Sequence, residues 1–179
     1  MKNFKFSRLF AAMMFVACLM LVGCNPQTRD VTVEKVIIVR PLEANDSIIR
    51  TWADNVETYN AYTGYDCKIT ADYIETASYG KHNGPIYVAK TSETSGYIYY
   101  KFSKNITGYG PGPDYAPYTV ECAGKWCAVA YKNLTATSVQ MCDAYKTYDF
   151  ADSLSKAVEL YTVENGWFAG IETTFTKVN

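Results

Sequence analysis

Six cysteines and one histidine are the residues of this 179-residue chain with the widest chemical repertoire. Thiols form disulfides, hold zinc or act as nucleophiles, and spacing separates these uses. Cys18 and Cys24 lie in or just after an apolar run near the N-terminus, whereas Cys67, Cys122, Cys127 and Cys142 lie in the remainder. A two-residue turn at Gly124-Lys125 would set Cys122 opposite Cys127, and a four-residue loop at 133–136 would set Cys127 opposite Cys142. One or two disulfides among Cys67, Cys122, Cys127 and Cys142 are the leading reading, with one of them expected within Cys122, Cys127 and Cys142, where the two pairings through Cys127 are mutually exclusive. Buried free thiols are the second reading. Zinc, with Cys67 as a fourth ligand, is the least favoured, since no paired Cys-x-x-Cys spacing is present and no metal is expected. A cysteine nucleophile needs a base, and His82 is the only histidine. No Gly-x-Ser-x-Gly, His-Glu-x-x-His or nucleotide-binding glycine pattern occurs. The sequence therefore predicts no catalytic residue, no cofactor and no enzyme.

Cys24 stands apart from the others. The opening MKNFKFSR carries Lys2, Lys5 and Arg8 and no acid, and residues 9–20, LFAAMMFVACLM, carry no charge. That run is shorter than the roughly 20 apolar residues of a membrane-spanning helix. A basic start, a short apolar middle and a small-residue end make a secretory signal. It closes with Leu21-Val22-Gly23-Cys24, which resembles the lipobox of bacterial lipoproteins. The resemblance implies that residues 1–23 are a signal peptide cut before Cys24. It implies a diacylglyceryl thioether on the Cys24 sulfur and a further acyl chain, of the palmitate kind, on its amine. Each buried methylene contributes about 0.8 kcal/mol, and stable attachment takes two or more chains. The implied location is extracytoplasmic, anchored by lipid to the cell membrane or the outer membrane.

Composition narrows the partners. Loss of residues 1–23 removes three basic residues and no acid, taking 17 Lys and Arg against 18 Asp and Glu to 14 against 18, a formal net charge of −4. No dense basic patch stands out, so nucleic acid is not an expected partner. All 16 tyrosines follow Cys24, and Tyr, Thr and Val suit a pleated, half-buried surface.

The elements that position these residues read mostly as strands. Residues 24–44 read as the lipidated cysteine and a tether, with a strand-like stretch at 33–39, and the domain follows at 45–179. Strand candidates are 48–55, 65–78, 86–90, 96–104, 118–124, 125–132, 136–145 and 167–177, separated by Gly, Pro and Asn turn residues. In 96–104, GYIYYKFSK, alternation puts Ile98, Tyr100 and Phe102 on one face and Tyr97, Tyr99, Lys101 and Ser103 on a wetter one. In 151–166, Leu154, Ala157, Val158 and Tyr161 recur at helical spacing, with Asp152 placed to cap the start and Asn165-Gly166 the end. Antiparallel strands, one helix and a last strand suit an up-and-down barrel with the helix packed outside.

Within that pattern, SIIRTWADN followed by YDCKITADYIETAS resembles the opening of lipocalin-like, or calycin-like, β-barrels. SGYIYYKFS, KWCAVAYKNLTATSVQMCDAY and DSLSKAVELYTVENG are similar to lipid-anchored bacterial members of that group. The resemblance spans most of 48–166 and implies that Trp52 plugs the closed end of the barrel, although Arg50 stands where the family has glycine. It also implies an interior site for a small apolar or amphipathic ligand. The alternative is a surface adhesion or interaction module, in which Tyr97, Tyr99, Tyr109 and Tyr115 contact a glycan or a protein. Tyr109 and Tyr115 belong to GYGPGPDYAPY, 108–118, a Gly/Pro-rich connection placed to cover a barrel mouth.

Overall fold

Pairing follows the alternation. The computed structural model, which describes residues 37–54, 66–109, 117–146, 150–169 and 171–178, holds one ten-stranded antiparallel sheet. Residues 1–36, Cys24 among them, and Tyr115 lie outside the described residues. The strands are β1 (Val39–Pro41), β2 (Thr51–Ala53), β3 (Cys67–Ile69), β4 (Tyr73–Thr76), β5 (Gly80–Asn83), β6 (Tyr87–Lys90), β7 (Gly96–Lys101), β8 (Ile106–Tyr109), β9 (Pro117–Val120), β10 (Trp126–Lys132), β11 (Ser138–Asp143) and β12 (Thr174–Lys177), with one helix, α1 (Leu154–Leu160). The large sheet runs β1-β6-β7-β10-β11-β12-β2-β3-β4-β5, and β8-β9 form a separate pair. The described chain is thus mainly β with a single helix.

Antiparallel partners share a face. Val88, Ile98, Val129 and Asp143 form one row across β6, β7, β10 and β11. Tyr100 pairs with Cys127, Tyr131 with Met141, Val139 with Phe175 and Trp52 with Cys67 on that same face, which is the core. Trp52 is completely buried, its indole N–H donating to the Ile48 carbonyl at 3.0 Å. The sheet bends until β5 meets the chain just beyond β7. There the Asn83 N–H donates to Ser103 Oγ at 3.2 Å, and the Ser103 N–H donates to His82 Nδ1 at 3.3 Å. Among the described residues β1 and β5 remain the two edges of the sheet.

Both faces of β7 are covered, which corrects the wet-face expectation for Tyr97 and Tyr99. They are 8% and 1% exposed. The cause is α1 and the segment after it, which lie over β7 and β10. Tyr97 stacks near Phe168, with ring centroids 5.6 Å apart, and its hydroxyl accepts the Val163 N–H at 3.3 Å. The helix seats Ala157 and Tyr161 without exposure, and the Tyr161 hydroxyl donates to the Trp126 carbonyl at 2.9 Å. Its cap is Ser153 rather than Asp152. Ser153 Oγ accepts the Lys156 N–H at 3.2 Å, while Asp152 pairs with Lys125. At the other end the Asn165 amide donates to the Glu159 and Leu160 carbonyls, which closes the last turn as its position suggests.

Other differences have local causes. The 65–78 stretch is two strands, because Thr70 Oγ accepts the N–H groups of Asp72 and Tyr73 and closes a turn. Residues 80–83, in the connection between the strands expected at 65–78 and 86–90, form β5. The first strand, Val39–Pro41, lies within the stretch assigned to the tether, where it pairs with β6. Gly96, the first residue of the strand expected at 96–104, opens β7 opposite Tyr131. A Cβ there would press on the Ala89 carbonyl oxygen and come within 2.8 Å of the Tyr131 hydroxyl, so only glycine fits.

Candidate functional site

The site is a slot at one end of the core, where β12 and β2, four and three residues long, leave a gap between β11 and β3-β4. Its volume is about 230 Å³. The floor is apolar: Val129 from β10, Met141 from β11 and Phe175 from β12. The polar lining is Asp143, with the Thr76 and Ser78 hydroxyls beside it, together with Asp66 and Cys67. Tyr145, 68% exposed, stands at the rim.

Alternation explains how a carboxylate reaches this place. Val139, Met141 and Asp143 point to the same face of β11, and the first two are core residues. Asp143 is partly covered, and burial raises its pKa from 3.8 to about 6, with the facing hydroxyls of Ser78 and Thr76 opposing the rise. Asp66 is also held above the usual carboxylate range, by burial first and by Asp54 second. Its Oδ1 is buried and has no hydrogen-bond partner. Both carboxylates act on the Cys67 thiol, which burial and these two charges push well up. Burial likewise pushes the Tyr100 hydroxyl well above its ordinary range, and Cys127 and Asp143 add to the rise.

The cysteines do not form the expected row. β9 pairs with β8, and β10 pairs with β7, so Cys127 lies opposite Tyr100 and not opposite Cys122. Cys142 lies opposite Ala130, on the other face from Cys127. Cys67, Cys122 and Cys127 are free thiols. Burial raises the pKa of Cys67, Cys122 and Cys127, which keeps them as thiols rather than nucleophilic thiolates. Among the described residues no cluster of His, Cys, Asp and Glu is placed to hold a metal ion. His82 is a core residue: its Nε2 lies 2.8 Å from the Tyr79 carbonyl, the Ser103 N–H takes Nδ1, and burial lowers its pKa below 6.5. This network assigns the proton to Nε2.

Of the four tyrosines expected at a contact surface, Tyr97 and Tyr99 are therefore buried, and Tyr115 lies outside the described residues. Tyr109 belongs to β8, whose pairing with β9 turns the two ends of the Gly/Pro-rich connection into strands. Compared with models of protein families, with curated proteins and with solved structures, this chain matches none.

Asp143 makes a test of the slot's electrostatics. A carboxyl whose folded pKa is above its unfolded value favours the fold most below the unfolded pKa, here 3.8, and that contribution is lost as pH rises through about 6. Asp143→Asn is therefore expected to melt higher than the parent at pH 7 to 8, with the gain shrinking toward pH 4. Melting curves at pH 4, 6 and 8 check this. A constant difference across the range would mean that the carboxyl titrates as it does in water.

Proposed function

We propose that this chain is a lipid-anchored, extracytoplasmic protein of lipocalin-like build, its sheet wound as a barrel, which binds a small amphipathic molecule in the slot between β11 and β3-β4. The observation that carries the reading is the slot itself: an apolar floor under converging polar side chains, which is the usual make-up of a small-molecule site. Small barrels have room for one such ligand when side chains do not fill them. Here Trp52, Tyr100 and Tyr131 fill much of the core, and the space lies at one end. The lipobox-like Leu21-Val22-Gly23-Cys24 supports the anchor, and the role is binding without catalysis.

Two experiments test the two halves. Cys24→Ala is expected to abolish incorporation of a clickable fatty acid and to leave the chain uncut or released; equal labelling of both forms would remove the anchor. Ser78→Phe places a ring over the slot from its exposed rim. It is expected to weaken binding of one-ring amphiphiles, read by native mass spectrometry, about tenfold or more while changing the melting temperature little. Undiminished binding would move the ligand elsewhere.

A further inference from the structure

The slot carries charge of one sign only. Among the described residues its lining contains two carboxylates, Asp66 and Asp143, and no lysine, arginine or histidine. We propose that its ligand is a small amphipathic cation: an ammonium group on an apolar body of one ring or equivalent size. This rests on the reading of the slot as a ligand site.

Three observations independent of the cavity's shape support the cation. The two carboxylates line one and the same slot, Asp143 from β11 and Asp66 from the residue before β3. Asp66 Oδ1 is buried with no donor, and a buried acceptor without a donor is costly. An ammonium supplies three N–H donors together with the opposite charge. Tyr145 then offers an exposed ring at the rim, where the face of an aromatic attracts a cation. A fatty acid or other carboxylate in the same position would meet two like charges in a partly desolvated place, which disfavours it. Size sets the body. The space of about 230 Å³ exceeds the roughly 150 Å³ cavity that holds benzene, leaving room for a ring and a short chain. Val129, Met141 and Phe175 would contact the ring.

Three probes that share one ring and differ in head group separate the outcomes: phenethylamine, phenethyl alcohol and 3-phenylpropionate. Titrated calorimetrically into the full chain at neutral pH, the amine is expected to bind about tenfold or more tightly than the alcohol, and the carboxylate least. The double variant Asp66→Asn, Asp143→Asn is expected to bind amine and alcohol alike. It removes two poorly solvated charges, so it is expected to fold at least as stably as the parent. Ser78→Phe is expected to suppress the amine signal, which ties that signal to the slot. Equal or tighter binding of the alcohol or the carboxylate overturns the cation while leaving the ligand site standing. An amine signal unaffected by Ser78→Phe also overturns it. If none of the three probes binds, the ligand site falls with it.

Discussion

Trp52→Ala is expected to cost about 3–5 kcal/mol, the range for truncating a large aromatic in a packed core. Trp52 has no exposed surface, and its indole holds the Ile48 carbonyl at 3.0 Å. The variant loses the ring's packing and leaves that carbonyl without its donor. Domains of this size are stable by about 5–15 kcal/mol in all, so the loss removes a large part of the total. Trp52→Phe keeps much of the packing and is expected to fall between parent and alanine. Denaturant melts with unchanged slope and a shifted midpoint are the readout. A shift worth less than about 1 kcal/mol would place Trp52 at a site that collapses freely rather than at the centre of the core.

Asp46→Ala is the second large expected loss. Asp46 is 8% exposed and receives Arg40 through two bonds of 2.6 and 2.8 Å, the Glu43 N–H at 2.9 Å, and Lys90 at 3.6 Å. The cluster ties β1 and the turn after it to β6. Removing one partner of a buried pair costs about 3–5 kcal/mol. The lower end of that range applies, because the Arg40 side chain keeps 35% of its surface in water. The Arg40 hydrogen bonds, then the Glu43 N–H, lower the Asp46 pKa to about 2 against burial, which opposes them. A depressed carboxyl stabilises the fold above its unfolded pKa of 3.8, and that contribution is lost as pH falls through about 2. The parent is expected to lose stability steeply over this interval and Asp46→Ala to lose less of it. Parallel acid titrations of the two forms would contradict the role given to Asp46.

Period and turn chemistry made much of the sheet legible. GYIYYKFSK alternates cleanly and forms β7, and the helical spacing of Leu154, Ala157, Val158 and Tyr161 gives α1. Local alternation is silent about what lies on top, and that is why Tyr97 and Tyr99 read as wet. Their cover comes from residues 154–168, more than fifty positions later in the chain. Pairing was misjudged for the same reason. The turn at Gly124 does not fold β10 back on β9 but feeds β10 alongside β7, with the Gly124 N–H on the Phe102 carbonyl at 2.8 Å. The thiol row followed from that wrong partner. The slot did leave a trace in the sequence. In SVQMCD, valine, methionine and aspartate share one face, so a carboxylate at a core position breaks the pattern. Asp66 had no such mark, because its role depends on the long-range approach of β3 to β11.

The ligand site is tested most directly at Met141, whose side chain is part of the slot floor. The other four methionines, Met1, Met13, Met14 and Met20, all precede Cys24. In the full chain carrying carbon-13 in its methionine methyl groups, Met141→Leu identifies the Met141 resonance by its loss. Phenethyl alcohol and phenethylamine are then titrated in turn. The expected result is a saturable shift of the Met141 methyl alone, at one ligand per chain, for at least one of the two. A Met141 methyl that stays in place to the solubility limit of both, or moves no more than the other four, would contradict a ligand site in the slot.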